Sequence, residues 1–182
     1  MHTSYALALD GPLAAACLTA AERRACAALP GAVRRRDWRA GRLAAKRAVH
    51  AAGLPAGRLT VSISHVAGRG AAIAVPAPAR VGIDLERTRT VRRNQARYFL
   101  RSDERALARR LGLTAMWSLK EAAWKACGAS ADTPFRALAL HADRKGRLEA
   151  ISLHGRRTRA RASLSRPWRG FVVAVVWLEE GA

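Results

Sequence analysis

Three residues, each one helical turn from the next, raise the first chemical question in this chain of 182 residues. They are Trp117, Glu121 and Lys125, within Met116-Trp117-Ser118-Leu119-Lys120-Glu121-Ala122-Ala123-Trp124-Lys125-Ala126-Cys127-Gly128. Most of these residues are good helix formers, and Gly128 suits a helix end. Residues four apart on a helix share a face, so a carboxylate lies between a large aromatic ring and an ammonium group. Alone, this row reads equally as an exposed ion pair worth about 0.2–0.5 kcal/mol. A second stretch, Val81-Gly82-Ile83-Asp84-Leu85-Glu86, reads as a strand. Side chains alternate along a strand, so Asp84 and Glu86 share one face while Ile83 and Leu85 take the other. Two adjacent carboxylates repel unless a cation lies between them. A hard divalent ion such as Mg²⁺ takes oxygen ligands and often binds through one or two carboxylates plus phosphates. Glu121 could supply a third oxygen.

The pair of stretches resembles the signature of the Sfp-type phosphopantetheinyl transferases. Three weaker pieces follow the expected order: Trp38-Arg39-Ala40-Gly41-Arg42-Leu43-Ala44-Ala45-Lys46, then Ser62-Ile63-Ser64-His65, then Tyr98-Phe99 with Glu104 downstream. The resemblance runs from about Arg34 to Trp177. It implies an α+β fold of two similar, pseudo-twofold-related halves, each a small sheet packed with a helix, with the cofactor between them. It implies transfer of the phosphopantetheine arm of coenzyme A to a serine of an apo acyl or peptidyl carrier protein, releasing 3',5'-ADP. By the same resemblance, Asp84, Glu86 and Glu121 hold Mg²⁺, and Lys125 neutralises charge developing on the bridging oxygen. Glu121, or a water on the ion, takes the serine proton. Arg36, Arg42, Lys46, Ser64 and His65 are candidate contacts for coenzyme A, together with Asp84 and Lys125. Two departures bear on cofactor detail. Many relatives carry a Gly-Lys-Pro-like segment where this chain has only Gly53 to Thr60. Val66 stands where relatives often have a second serine.

The elements that must position these residues follow from the punctuation of the chain. Tyr5 to Leu9 reads as a strand ending at Asp10-Gly11-Pro12. Thr19 with Glu22 three residues on has the form of a capping box, opening a helix that runs to about Leu29. Arg34-Arg35-Arg36 precede a second helix predicted from about Asp37 to Ala52. Cations oppose the dipole at a helix start, yet arginines and free amides there suit a phosphate; a solvated basic face is the alternative. Leu59 to Ser64 and Ala71 to Val75 read as strands around a turn at His65 to Gly70. Pro76-Ala77-Pro78-Ala79 is a short, stiff connector. It divides an N-terminal half, residues 1–79, expected to contact the coenzyme A nucleotide and phosphates, from a C-terminal half, 80–182, with the metal site and catalytic helix. Arg87 to Asn94 reads as a loop and Gln95 to Leu111 as a helical region, with Phe99 in the core. Ala137 to Ala142, Leu148 to His154 and Arg157 to Leu164 read as strands, with a hairpin turn at Arg144-Lys145-Gly146. Gly170 to Leu178 is so apolar that it must be buried on both faces.

Composition narrows the class. The net charge is +20, which attracts polyanions, acidic protein surfaces or phosphate-rich cofactors. The carriers the resemblance implies are acidic, so this charge would steer them to the chain. The rival reading is a basic nucleic-acid-binding protein without enzymatic activity. Against it, the arginines are spread over most elements, no homeodomain, zinc-finger or RNP pattern appears, and aromatics are only 5% of residues. Cys17, Cys26 and Cys127 form no Cys-x-x-Cys pair, so they read as buried or half-buried thiols of a reducing compartment. No apolar run suits a membrane span or a signal peptide; the expectation is a cytoplasmic monomer.

Overall fold

Strand β1 (Ser4–Leu9) stops at the Asp10-Gly11-Pro12 break, and a short helix α1 (Pro12–Ala16) begins with proline in its first turn. Helix α2 (Ala20–Ala28) opens with the expected box: the Thr19 hydroxyl accepts from the Glu22 amide, and the Glu22 carboxylate accepts from the Thr19 amide. Helix α3 spans Ala32–Ala52. Its start corrects the predicted Asp37: Gly31, at φ 77°, ends the preceding turn, and nothing in Ala32 to Arg36 resists helix. Arg34, Arg35 and Arg36 therefore ride inside the first turns. Strands β2 (Leu59–Val66), β3 (Arg69–Pro76) and β4 (Arg80–Arg87) follow. Helices α4 (Ala96–Phe99), α5 (Arg105–Leu111) and α6 (Leu113–Ala126) come next, then strands β5 (Leu138–Ala142), β6 (Leu148–Leu153), β7 (Arg156–Ser165) and β8 (Phe171–Leu178). These assignments come from a computed structural model that describes residues 4–88 and 91–179.

The turn predicted at His65 to Gly70 is shorter than expected. His65 and Val66 belong to β2, and only Ala67 and Gly68 form the turn, at φ 52° and 74°. A two-residue turn with both φ values positive matches the twist of its strands. The Asp37 carboxylate accepts from both turn amides, at 3.2 Å from Ala67 and 2.6 Å from Gly68. The helical region predicted at Gln95 to Leu111 is interrupted: Leu100 is extended, separating α4 from α5. Of the predicted loop Arg87 to Asn94, residues 89 and 90 lie outside the described residues. Among the cysteines Cys26 is buried and Cys127 half-buried as expected, but Cys17 is exposed, because it caps the C-terminus of the short helix α1.

The contacts divide into two compact units, residues 1–78 and 79–182. The first is a three-stranded antiparallel sheet, in the order β1-β3-β2, covered by α3. The contact is small against small: Ala40, Gly41, Ala44 and Ala48 on the helix meet a layer with Ala8, Ala72 and Ala74. A Cβ on Gly70 would lie 2.2 Å from the Ala40 carbonyl oxygen. Arg39 grips Asp10 at the end of β1 with two hydrogen bonds of 2.9 Å, and this grip holds the Asp10 carboxyl below its ordinary range.

The second unit is a five-stranded antiparallel sheet, in the order β4-β8-β7-β6-β5, covered by α6. Phe99, Met116, Leu119, Leu138, Ile151 and Val176 fill its core, each worth about 1.5–3 kcal/mol of burial. Residues 171–176 of β8 are all buried, as their composition demands. Helix α6 is locked at two places. At Gly82 a Cβ would lie 1.9 Å from the Ala122 carbonyl oxygen and 2.6 Å from the Ala126 amide nitrogen. On another side, fully buried Lys120 donates to both Glu104 oxygens, at 3.0 and 2.9 Å, and to the Leu138 carbonyl at 2.7 Å. Glu104 also accepts from the Leu140 and Arg101 amides, both at 2.9 Å. Every Lys120 proton thus has an acceptor, which is the condition for tolerating a buried ion pair. Burial pulls the Lys120 amine below its ordinary range, and Glu104 opposes that pull.

Two substitutions test these locks. Gly82→Ala sets a methyl group against backbone and is expected to cost about 3 kcal/mol or more, read from urea unfolding. Lys120→Met leaves the Glu104 carboxylate in a dry site and is expected to cost about 3–5 kcal/mol. Adding Glu104→Gln should regain part of that loss. A Lys120→Met midpoint equal to the parent's would show that the ion pair contributes nothing.

Candidate functional site

The close approach at Gly82 sets the site. Asp84 and Glu86 follow Gly82 on the same face of β4, and Glu121 and Lys125 flank Ala122 and Ala126 on α6. Seating the helix against the glycine therefore brings the two acidic segments together. One ligand oxygen from each of Asp84, Glu86 and Glu121 lies within 4.8 Å of the others. Asp84 is buried; Glu86 and Glu121 are half-buried. The Lys125 ammonium donates to Asp84 Oδ1 at 3.1 Å and to the Ile83 carbonyl at 3.0 Å, and stands 3.5 Å from Glu121 Oε1.

The electrostatics follow from this crowding. Burial pushes the Glu121 carboxyl above its ordinary range, negative Asp84 pushes it further, and Lys125 opposes both. Two further ties hold the arrangement. Trp117 Nε1 donates to Glu86 Oε1 at 3.0 Å, and the Ser118 hydroxyl donates to the Asp84 carbonyl at 3.3 Å. Neither role was read from sequence. Trp117 gave a signal, since it shares a face with Glu121; Ser118 gave none. Trp117 is itself fixed by ring contacts with Phe99 at 5.1 Å and Phe135 at 4.7 Å.

Three carboxylates with no imidazole or thiolate form the donor set of a hard divalent cation rather than of zinc. Their mutual spacing fits one such ion. A carboxylate 3.5 Å from an ammonium is, in addition, a pair suited to accept one proton and stabilise one developing negative charge.

The remaining predicted residues lie in the first unit. Arg36 bonds to Asp37 at 3.3 Å and runs along Gly68, beside the β2–β3 turn. Arg42 stacks over the Trp38 ring at 4.9 Å. Lys46 pairs with Glu22 at 2.9 Å. Ser64 is buried, and exposed His65 stands against Gly41, where a Cβ would lie 2.8 Å from the ring. Asp37 is the residue here that the motif reading passed over, although it ties the start of α3 to the turn after His65.

No helix is long and apolar enough to cross a membrane, among the described residues. Comparison with curated proteins gives no match. Three solved structures are similar in part. The Thermotoga maritima holo-acyl-carrier-protein synthase shares 25% identity over 56% of this chain and 64% of its own length, with a TM-score of 0.45. The matched part thus spans less than two thirds of that protein. The Plasmodium yoelii holo-ACP-synthase is 15% identical over 57% of this chain and 95% of its own, with a TM-score of 0.44. The Chronobacterium ammoniagenes ACPS-CoA complex is 20% identical over 57% of this chain and 98% of its own, with a TM-score of 0.41. A family model describing the 4'-phosphopantetheinyl transferase superfamily matches residues 80–176, more than half of the chain, including the strand with Asp84 and Glu86 and the helix with Glu121 and Lys125. The chain belongs to the 4'-phosphopantetheinyl transferase superfamily.

Proposed function

We propose that this protein is an Sfp-type 4'-phosphopantetheinyl transferase, moving the phosphopantetheine arm of coenzyme A to a serine of an apo carrier protein with release of 3',5'-ADP. The observation that carries this reading is the convergence of Asp84, Glu86 and Glu121 within 4.8 Å, inside the segment that matches the family. The presence of a second helix-on-sheet unit, residues 1–78, supports the Sfp type.

The three carboxylates would hold Mg²⁺, which when bound supplies positive charge to the pyrophosphate oxygens. The chain's own groups do the rest. The attack of a hydroxyl on phosphorus needs positioning and charge stabilisation more than covalent help. Lys125 Nζ, held by the Ile83 carbonyl and Asp84, is assigned to neutralise the oxygen that leaves with negative charge. Glu121, beside Lys125 and at the edge of the acidic cluster, is assigned to take the serine proton on its carboxylate oxygen. Trp117 keeps Glu86 in place through its indole N–H. Arg36, Arg42, Lys46, Ser64 and His65 are assigned to the nucleotide and phosphate end of coenzyme A. The partner is an acidic carrier protein, which a chain of charge +20 attracts at long range.

Incubation with coenzyme A, Mg²⁺ and an apo carrier protein should add the mass of one phosphopantetheine arm to the carrier. Asp84→Ala and Glu121→Ala are each expected to lower transfer by about 10²- to 10³-fold with an unchanged circular dichroism spectrum. Near-normal turnover in either variant would remove the metal and base assignments.

A further inference from the structure

The tip of the β2–β3 hairpin carries a conformation that needs an outside hold. Ala67 and Gly68 both lie in the left-handed region, at φ 52° and 74°. For Ala67, which has a Cβ, that conformation persists only where the surroundings fix it. Successive amides in such a turn also form a concave pair of donors that favours an anion. The anion here belongs to the chain. Asp37 Oδ2 accepts from the Ala67 amide at 3.2 Å, and Oδ1 accepts from the Gly68 amide at 2.6 Å. The Asp37 side chain is only 16% exposed.

The same carboxylate aims an arginine. Arg36 Nε donates to Asp37 Oδ1 at 3.3 Å. The Arg36 stem lies so close to the turn that a Cβ on Gly68 would be 3.0 Å from Nε and 3.1 Å from Cδ. The terminal nitrogens of Arg36 make no hydrogen bond among the described residues, and the side chain is 44% exposed. Two residues before the turn, His65 is set against α3, its ring 2.8 Å from where a Cβ on Gly41 would stand. The Gly68 carbonyl is fixed as well, accepting from the Asp10 amide at 2.8 Å. One carboxylate thus joins the start of α3, the turn and the direction of Arg36. An acid among phosphate contacts repels the phosphate when its charge is free; here two amides and a guanidinium take up that charge.

We propose that Asp37 is a positioning residue for the nucleotide end of coenzyme A. By occupying the turn amides it keeps a ligand phosphate off them and presents Arg36 and His65 as the groups that meet it. Asp37 itself touches no ligand. The assignment rests on the transferase reading and adds to it the residue that holds these contacts in register.

The test compares Asp37→Ala, Asp37→Asn and Thr19→Ala with the parent chain. Calorimetric titration with 3',5'-ADP reads binding without turnover, and steady-state transfer reads KM and kcat. Asp37→Ala is expected to weaken 3',5'-ADP by about 10-fold and to raise KM for coenzyme A by a similar factor. In the same variant kcat and the KM for carrier protein should stay within about 2-fold of the parent. Asp37→Asn keeps one oxygen for the Gly68 amide but sets its NH2 group against the Ala67 amide, so it should fall between the two. Thr19→Ala removes a helix cap in the same unit; it should lower the unfolding midpoint and leave nucleotide affinity at the parent value. An equal loss of affinity in Thr19→Ala overturns positioning in favour of general stability. Parental affinity in Asp37→Ala, or in Asp37→Asn where the alanine variant does not fold, overturns the assignment, as does a fall in kcat with KM unchanged. Tighter binding in Asp37→Ala identifies a carboxylate that only competes with phosphate, and overturns it too. A parent chain that neither binds 3',5'-ADP nor transfers the arm overturns the transferase reading and this assignment with it, a failure seen before any substitution is made.

Discussion

The site exists because a helix backbone touches a strand backbone at Gly82. A side chain there would overlap the Ala122 carbonyl and crowd the Ala126 amide. At this contact the spacing is that of backbone on backbone, so short side chains can reach across. Asp84 and Glu121 are short donors from different elements, and only such an approach brings them onto common ground. The first unit uses the same device at Gly70, where α3 approaches β3 over an alanine-rich layer.

The two lysines of α6 show how one helix serves two purposes. Lys120 points into the dry side, where the two Glu104 oxygens and the Leu138 carbonyl fully satisfy it. Lys125, five residues later, lies on the wetter side against Asp84 and Glu121. Burial makes the first an orientational pin: a charged group with all its hydrogen bonds made cannot rotate without losing several of them. Partial exposure leaves the second able to respond to charge appearing nearby. The pin sits beside Glu121 in sequence, so the rotational setting of the helix and the direction of the acid are decided together.

Much of this arrangement is legible in residue order. Alternation alone puts Asp84 and Glu86 on one face of β4, and the capping box at Thr19 and Glu22 forms as spaced. The apolar run before Leu178 becomes a strand buried throughout residues 171–176. The reading failed where local signals are permissive. Nothing between Ala32 and Arg36 forbids helix, so the start of α3 was set by Gly31 rather than by the arginines. His65 looked like turn because glycines follow it, yet a two-residue turn needs only Ala67 and Gly68, which Asp37 holds from a distant element.

Composition and spacing by themselves determined which residues could share a face, which strand had to be buried and which acids could meet a cation, because those follow from fixed helical and strand periods. Tertiary structure alone decided that Lys120 is a buried pin held by Glu104 and the Leu138 carbonyl. It also decided that Trp117 serves Glu86. Those outcomes depend on what packs against each face. The partners come from positions far away in the chain, and no local period encodes them.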